Sequence, residues 1–189
     1  HLSSKLPETV QRKFTDNDLR DKKHIHEHWK SQGTDDQHSP ENYLNNVAQS
    51  EFIFDILSPY AESSDELLEP GCNVGRNLNY FYNRGYTSLT GIEINPTAVE
   101  ILEEEYPDLN DNADIYTSDI ETKVKEFGTN KFDITFTSSV LKHIHPDCEF
   151  VFDELVRVTD NYILTLEDET DISPIHIPRN YKKVFTVRG

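Results

Sequence analysis

Between residues 66 and 166, short apolar runs alternate with longer stretches in which apolar residues return at helical spacing. The short runs predict strands over 66–69, 88–93, 113–117, 132–137 and 162–166. The stretches between them predict helices over 74–84, 96–105, 121–127 and 147–158. Gly85 supplies a stop after the first of these, and Asn95-Pro96 puts a proline in the first turn of the second. Five strands separated by helices predict an α/β fold with a doubly wound, mostly parallel sheet, because parallel neighbours need crossover connections.

Outside that region the pattern is weaker. After Ser39-Pro40, residues 41–57 carry Tyr43, Leu44, Val47, Phe52, Ile53, Ile56 and Leu57 near helical spacing, which predicts a helix lying over the sheet. Residues 1–40 are polar and mixed in charge and read as a partly helical N-terminal extension, leaving 41–189 as the main domain. Trp29, the only tryptophan, stands in this polar extension and is expected to pack on the domain surface or on a ligand. His24 and His28 share a helix face beside Glu27, with His26 between them, a spacing that can hold a metal. Their neighbours are polar and no cysteine is near, so the expectation is solvated histidines and no metal site. After Leu166 comes the acidic run Glu167-Asp168-Glu169, then Pro174 and Pro178, and residues 181–187 read equally as a helix turn, a last strand or a fragment.

Charge narrows the function. The 35 acids against 18 Lys and Arg give a formal net charge of -17. Binding to phosphate backbones is driven by clustered cations and counterion release, so a nucleic-acid substrate is disfavoured. Two cysteines, Cys72 and Cys148, are too few for a disulfide framework and are expected as free thiols in a reducing compartment. No apolar run reaches transmembrane length and no signal pattern opens the chain, which leads to the expectation of a cytoplasmic protein without membrane contact.

The candidate chemistry lies at residues 67–76, Leu-Leu-Glu-Pro-Gly-Cys-Asn-Val-Gly-Arg. A strand ends in Glu69 and turns through Pro70 and Gly71 into a helix. In that turn Gly71 can take positive φ, Gly75 allows close packing of the helix, and Asn73 is one of the few residues that tolerates the left-handed region. Glu93 closes the next strand, in Gly91-Ile92-Glu93-Ile94-Asn95. A helix N-terminus facing a ligand, with a carboxylate placed for ribose hydroxyls, suits an adenosine-containing cofactor.

These motifs, with Thr117-Ser118-Asp119-Ile120 and residues 132–145, resemble the successive motifs of class I S-adenosylmethionine-dependent methyltransferases over about residues 65–166. The resemblance implies a Rossmann-like fold, here shortened at the C-terminus, since full folds of that family continue with two more strands. It implies S-adenosyl-L-methionine as cofactor, converted to S-adenosyl-L-homocysteine. Glu69 and the turn carrying Gly71, Cys72, Asn73 and Gly75 would face its methionine part, Glu93 the ribose, Ile94 and Ile120 the adenine ring, and Asp119 the adenine amino group. Thr137 and Ser138 would border the sulfur.

His143 and His145 follow strand four and are the candidate bases, imidazole having a suitable pKa near neutrality. Trp29 and Tyr43 are candidates for substrate contact or a lid. The strand-four segment lacks the Asn or Asp-Pro-Pro-aromatic loop of base-methylating relatives, which together with the charge points to a small-molecule acceptor and in-line methyl transfer. The alternatives are a catalytically silent methyltransferase-like module, with a partner protein or a second copy covering the sheet edge, and, less favoured, an NAD-dependent oxidoreductase.

Overall fold

Leu67 and Leu68 enter opposite sides of one strand, and that alternation divides the interior into two cores. The computed structural model describes residues 20–31 and 39–188, so the rest of the expected extension, 1–19 and 32–38, lies outside the described residues. Five parallel strands, β1 (Leu67–Pro70), β2 (Leu89–Glu93), β3 (Asp114–Thr117), β4 (Phe132–Ser138) and β5 (Thr159–Leu166), lie in the order β3-β2-β1-β4-β5. β1 and β2 are buried throughout, as expected of strands covered on both faces.

One face carries Ile53 and Leu57 of α2 (Val47–Leu57), Leu78 and Phe81 of α3 (Arg76–Tyr82), Leu102 of α4 (Pro96–Glu105) and Leu109 of α5 (Pro107–Asn112), packed on Leu67, Ile134 and Phe136. The other carries Ile120 of α6 (Ile120–Lys123), Val151, Phe152, Leu155 and Val158 of α7 (Phe150–Val158) and Tyr181 of α8 (Tyr181–Thr186), packed on Leu68 and Ile92. Phe132 belongs to this second core although Ile134 and Phe136 belong to the first, and the β4–β5 register is irregular between Phe132 and Ile134.

The differences from the sequence reading have local causes. The helix expected over 41–57 is a 3-10 turn (Pro40–Tyr43) followed by α2, separated at Asn45-Asn46, residues that favour turns. Within α2, Ile53 and Leu57 are buried while Phe52 and Ile56 face outward. The helices expected over 121–127 and 147–158 each divide into a 3-10 turn and a shorter α-helix. α5 was not foreseen, and Pro107 at its first position starts it. The ambiguous segment at 181–187 is helical, capped by Asn180 Oδ1, which accepts from Lys183 N. β5 begins at Thr159 and stands at the sheet edge, where its exposed Tyr162 ring lies 5.4 Å from Tyr60.

α1 (Lys22–Lys30) is pinned to the C-terminal segment rather than standing in solvent. Ile25 packs with Ile177, Trp29, Ile172 and Ile175, and Arg20 N donates to Pro174 O at 2.9 Å. Among the described residues no helix is long and apolar enough to cross a membrane.

Gly75 has φ +70°, and a Cβ there would stand 2.4 Å from Leu102 Cδ1, so it seats α3 against α4. Gly75→Ala is expected to lower the unfolding free energy by about 1–3 kcal/mol, read from urea denaturation, because it combines a left-handed backbone with a clash.

Candidate functional site

The chain leaves β1 in both directions across the sheet, with β2 on one side and β4 on the other. A crevice at the C-terminal ends of the strands is expected where the winding reverses. A cavity opens there. Its walls come from Glu69 and the turn after β1, Ile92, Glu93 and Ile94 at the end of β2, Ile120 and Glu121 of α6, and Ser138, Ser139, Val140, His143 and Ile144 after β4. Ile25, His26 and Trp29 of α1, Tyr43 and Gln49, and Arg76 and Asn77 at the start of α3 complete the lining.

The turn has the backbone that its sequence requires. Gly71, Asn73 and Gly75 all have positive φ, at 72°, 50° and 70°. Gly71 N and Cys72 N both donate to Ile92 O, at 2.7 and 3.1 Å, which ties the turn to β2. Asn73 Oδ1 folds back to accept from Val74 N at 2.8 Å, so its side chain serves its own turn. Glu93 binds the same turn from the other side: Oε2 accepts from Asn73 N and Oε1 from Asn95 N, both at 2.8 Å. Burial pushes the Glu93 carboxyl up, while the amides of Asn95, Asn73 and Ile94 pull it back.

Glu69 is more extreme. It is 2% exposed, its Oε1 accepts from Asn77 Nδ2 at 2.6 Å, and its Oε2 has no hydrogen-bond partner among the described residues. Desolvation raises its pKa to about 8, against the lowering effects of the Asn77 hydrogen bond and the nearby Arg76 charge, and Glu93 adds to the rise. Asn77 also accepts from Ser50 Oγ at 2.7 Å, and Arg76 joins the group by donating to Ser50 Oγ, Gln49 Oε1, Asn77 Oδ1 and Tyr43 O. Gln49 Nε2 then donates to Ser138 Oγ at 2.8 Å, which links α2 to the end of β4.

His143 Nδ1 lies 3.0 Å from Ile175 O. A carbonyl only accepts, so Nδ1 carries the proton and Nε2 is the acceptor nitrogen. The ring stands 4.4 Å from Trp29 and 4.9 Å from His176, centroid to centroid. Burial lowers its pKa to about 3, with the Ile175 hydrogen bond opposing and the charges of His176, Lys142 and His28 assisting. This corrects the basis on which the sequence put a base here. At neutral pH the ring is a fixed, neutral hydrogen-bond acceptor, not an imidazole poised near 7.

Of the expected site residues, Glu69, Gly71, Cys72, Asn73, Glu93, Ile94, Ile120, Ser138, His143, Trp29 and Tyr43 line this one cavity. Gly75, Asp119, Thr137 and His145 do not. Gly75 seats α3, and Thr137 Oγ1 donates to Pro70 O at 3.1 Å, clamping β4 to β1. Asp119 caps α6, its Oδ1 accepting from Thr122 N at 2.8 Å. His145 is buried and caps the turn Pro146–Cys148, its Nδ1 accepting from Asp147 N at 3.1 Å.

The sequence reading missed Arg76, Asn77 and Gln49. A signal existed: an Arg-Asn pair directly after the last turn glycine, at the start of a helix whose first turn must face the site. It also missed that His26 reaches Glu121 Oε1 at 2.9 Å, which fastens α1 across the cavity. Among the described residues no group of His, Cys, Asp and Glu converges as a metal-ligand set.

The fold is of the methyltransferase type. Residues 68–161 match the family model described as a methyltransferase domain, and the order of the five parallel strands is that of the class I methyltransferase fold. No curated protein matches it in sequence.

Among similar solved structures, the [4+2]-cyclase SpnF superposes with TM-score 0.60 at 16% identity, covering 74% of this chain and 57% of that one. The geranyl diphosphate C-methyltransferase from Streptomyces coelicolor A3(2), solved with Mg2+, geranyl diphosphate and S-adenosyl-L-homocysteine, superposes with TM-score 0.60 at 13% identity, covering 76% and 63%. A SAM-dependent methyltransferase from Archaeoglobus fulgidus gives TM-score 0.58 at 18% identity, covering 74% and 68%. The chain thus spans less than two thirds of the length of the first two.

A histidine held neutral in the folded state binds fewer protons than in the unfolded chain, so the stability it contributes is present above 6.5 and is lost as pH falls toward about 3. His143→Gln is expected to lose less stability than the parent protein over that window, measured by urea denaturation across a pH series.

Proposed function

We propose that this chain binds S-adenosyl-L-methionine in the cavity and transfers its methyl group to a small, uncharged or cationic acceptor. The observation that carries the reading is Glu69, a buried carboxylate with one unpartnered oxygen at the cavity wall. An isolated buried acid is costly unless a cation completes it, and the ammonium of an amino-acid group has the chemistry to do so. Glu93 keeps lone pairs for ribose hydroxyls beyond the two amides it holds, and Ile94 and Ile120 offer apolar walls for adenine. The bound cofactor supplies an already activated methyl on a sulfonium, so the protein's own task is alignment and exclusion of water.

Ser138 and His143 border the acceptor side in this proposal, and His143 Nε2 orients the nucleophile by accepting its O–H or N–H. Trp29, its ring 4.4 Å from that of His143 and tilted 58° to it, covers that side from α1. Asp119, Thr137, Gly75 and His145 keep the structural roles described above. The acceptor class follows from charge. Among the described residues lining the cavity, the carboxyls are Glu69, Glu93 and Glu121, and the guanidinium is that of Arg76, whose donors already hold Ser50, Gln49, Asn77 and Tyr43. An anionic acceptor finds no ready counter-charge there.

A second reading, cofactor binding without methyl transfer, is favoured by one comparison: a protein of the same fold is described as a [4+2]-cyclase. Turnover of S-adenosyl-L-methionine to S-adenosyl-L-homocysteine with a panel of amines and phenols separates the two readings.

S-adenosyl-L-homocysteine is expected to bind with ~micromolar affinity by calorimetry, and Glu93→Ala to weaken it by about tenfold or more. Absence of binding to folded protein would overturn the reading. Since the free Glu69 carboxyl, at about 8, holds a proton at neutrality and a cationic partner favours its ionised form, binding at about pH 7 is expected to release protons. The calorimetric heat then depends on the buffer's ionisation enthalpy, a dependence that Glu69→Gln removes.

A further inference from the structure

The acidic run after β5 has no part in the proposed cofactor contacts, yet its three carboxylates do three separate jobs. Asp168 Oδ1 closes its own turn, accepting from Thr170 N, Thr170 Oγ1 and Asp171 N. Glu169 Oε1 accepts from Tyr181 N at 2.9 Å, at the start of α8. Glu167 reaches the loop after β4, where its Oε1 accepts from Val140 N at 2.9 Å and Leu141 N at 3.0 Å.

That loop is under constraint. Ser139 has φ +60°, uncommon for a residue with a side chain, and its amide donates to Leu166 O at 2.9 Å. Such a conformation persists only where the surroundings over-determine it. Immediately after it, Val140 stands against Gly71, so close that a Cβ on the glycine would lie 2.4 Å from Val140 Cγ2. His143 N in turn donates to Val140 O at 2.9 Å. One wall of the cavity and its histidine thus hang from the two amides that Glu167 holds.

The geometry points to Glu167 as a positioning residue: by gathering the Val140 and Leu141 amides it sets Val140 against Gly71 and brings His143 to Trp29 over the cavity. Its importance for binding rests on the proposed function, but the positioning is readable without any ligand. Burial pushes the Glu167 carboxyl up and the amides of Leu141, Val140 and Lys142 pull it back, as a carboxylate gripping backbone donors requires.

The test uses the single tryptophan. Trp29 emission, the His143 imidazole nitrogen resonances and thermal unfolding are compared for the full chain and for Glu167→Gln and Glu167→Ala. Glu167→Gln keeps an acceptor oxygen at the same reach and is expected to match the parent in all three. Glu167→Ala is expected to unfold cooperatively but with shifted Trp29 emission and His143 resonances, and to bind S-adenosyl-L-homocysteine about tenfold more weakly. A folded Glu167→Ala with parental emission and resonances would overturn the proposal. If that variant does not fold, Glu167→Asp, one methylene shorter, decides in its place by the same two signals. Parent protein that fails to bind the homocysteine compound counts against the proposed function alone, and the ligand-free signals still judge Glu167.

Discussion

A carboxylate buried at the end of the central strand is the constraint that the rest of this site answers to. Glu69 cannot be solvated where it stands, and its burial raises its pKa to about 8. The molecule answers with a polar layer inside an apolar domain. Asn77 bonds Glu69, Ser50 bonds Asn77, and Arg76 bonds Ser50, Asn77 and Gln49. Gln49 then reaches Ser138. This layer ties α2, α3 and the end of β4 to β1, so the buried acid also locates the elements around the cavity.

The second organising feature is the cover. α1 and the segment after β5 are far apart in sequence, but they meet over the cavity through Ile25 and Ile177, and the carbonyl of Ile175 holds His143 of the loop after β4. His26 on Glu121 fastens the same helix to α6. A covered site lowers the effective dielectric around its charges, which strengthens every interaction made there. The same burial keeps the His143 ring neutral, and the carbonyl of Ile175 fixes its tautomer.

Most of the sheet was legible. The five strands, their parallel arrangement and the helices between them followed from apolar runs and their spacing, since a strand buried on both faces must be apolar along its length. The left-handed turn was legible too, because Gly71, Asn73 and Gly75 are residues that such backbone demands. Helix lengths were less so. The division between the Pro40–Tyr43 turn and α2 depends on Asn45-Asn46 outweighing the helical spacing around them, and α5 was hidden because its single buried apolar residue, Leu109, makes no pattern.

The chain's own sequence therefore determined the strand order along the chain, the turn and the acids Glu69 and Glu93, because these depend on local backbone preference and on short-range periodicity. Only the tertiary structure decided which of the named residues meet. Within the motifs, Asp119 and His145 accept from amides three and two residues on, while Thr137 clamps β4 to β1 across the sheet. Arg76, Asn77 and Gln49 sit in unremarked positions, yet each lines the cavity. The physical reason is that a side chain's environment, and with it its pKa and its partners, is set by segments distant in sequence, and no spacing within one segment records them.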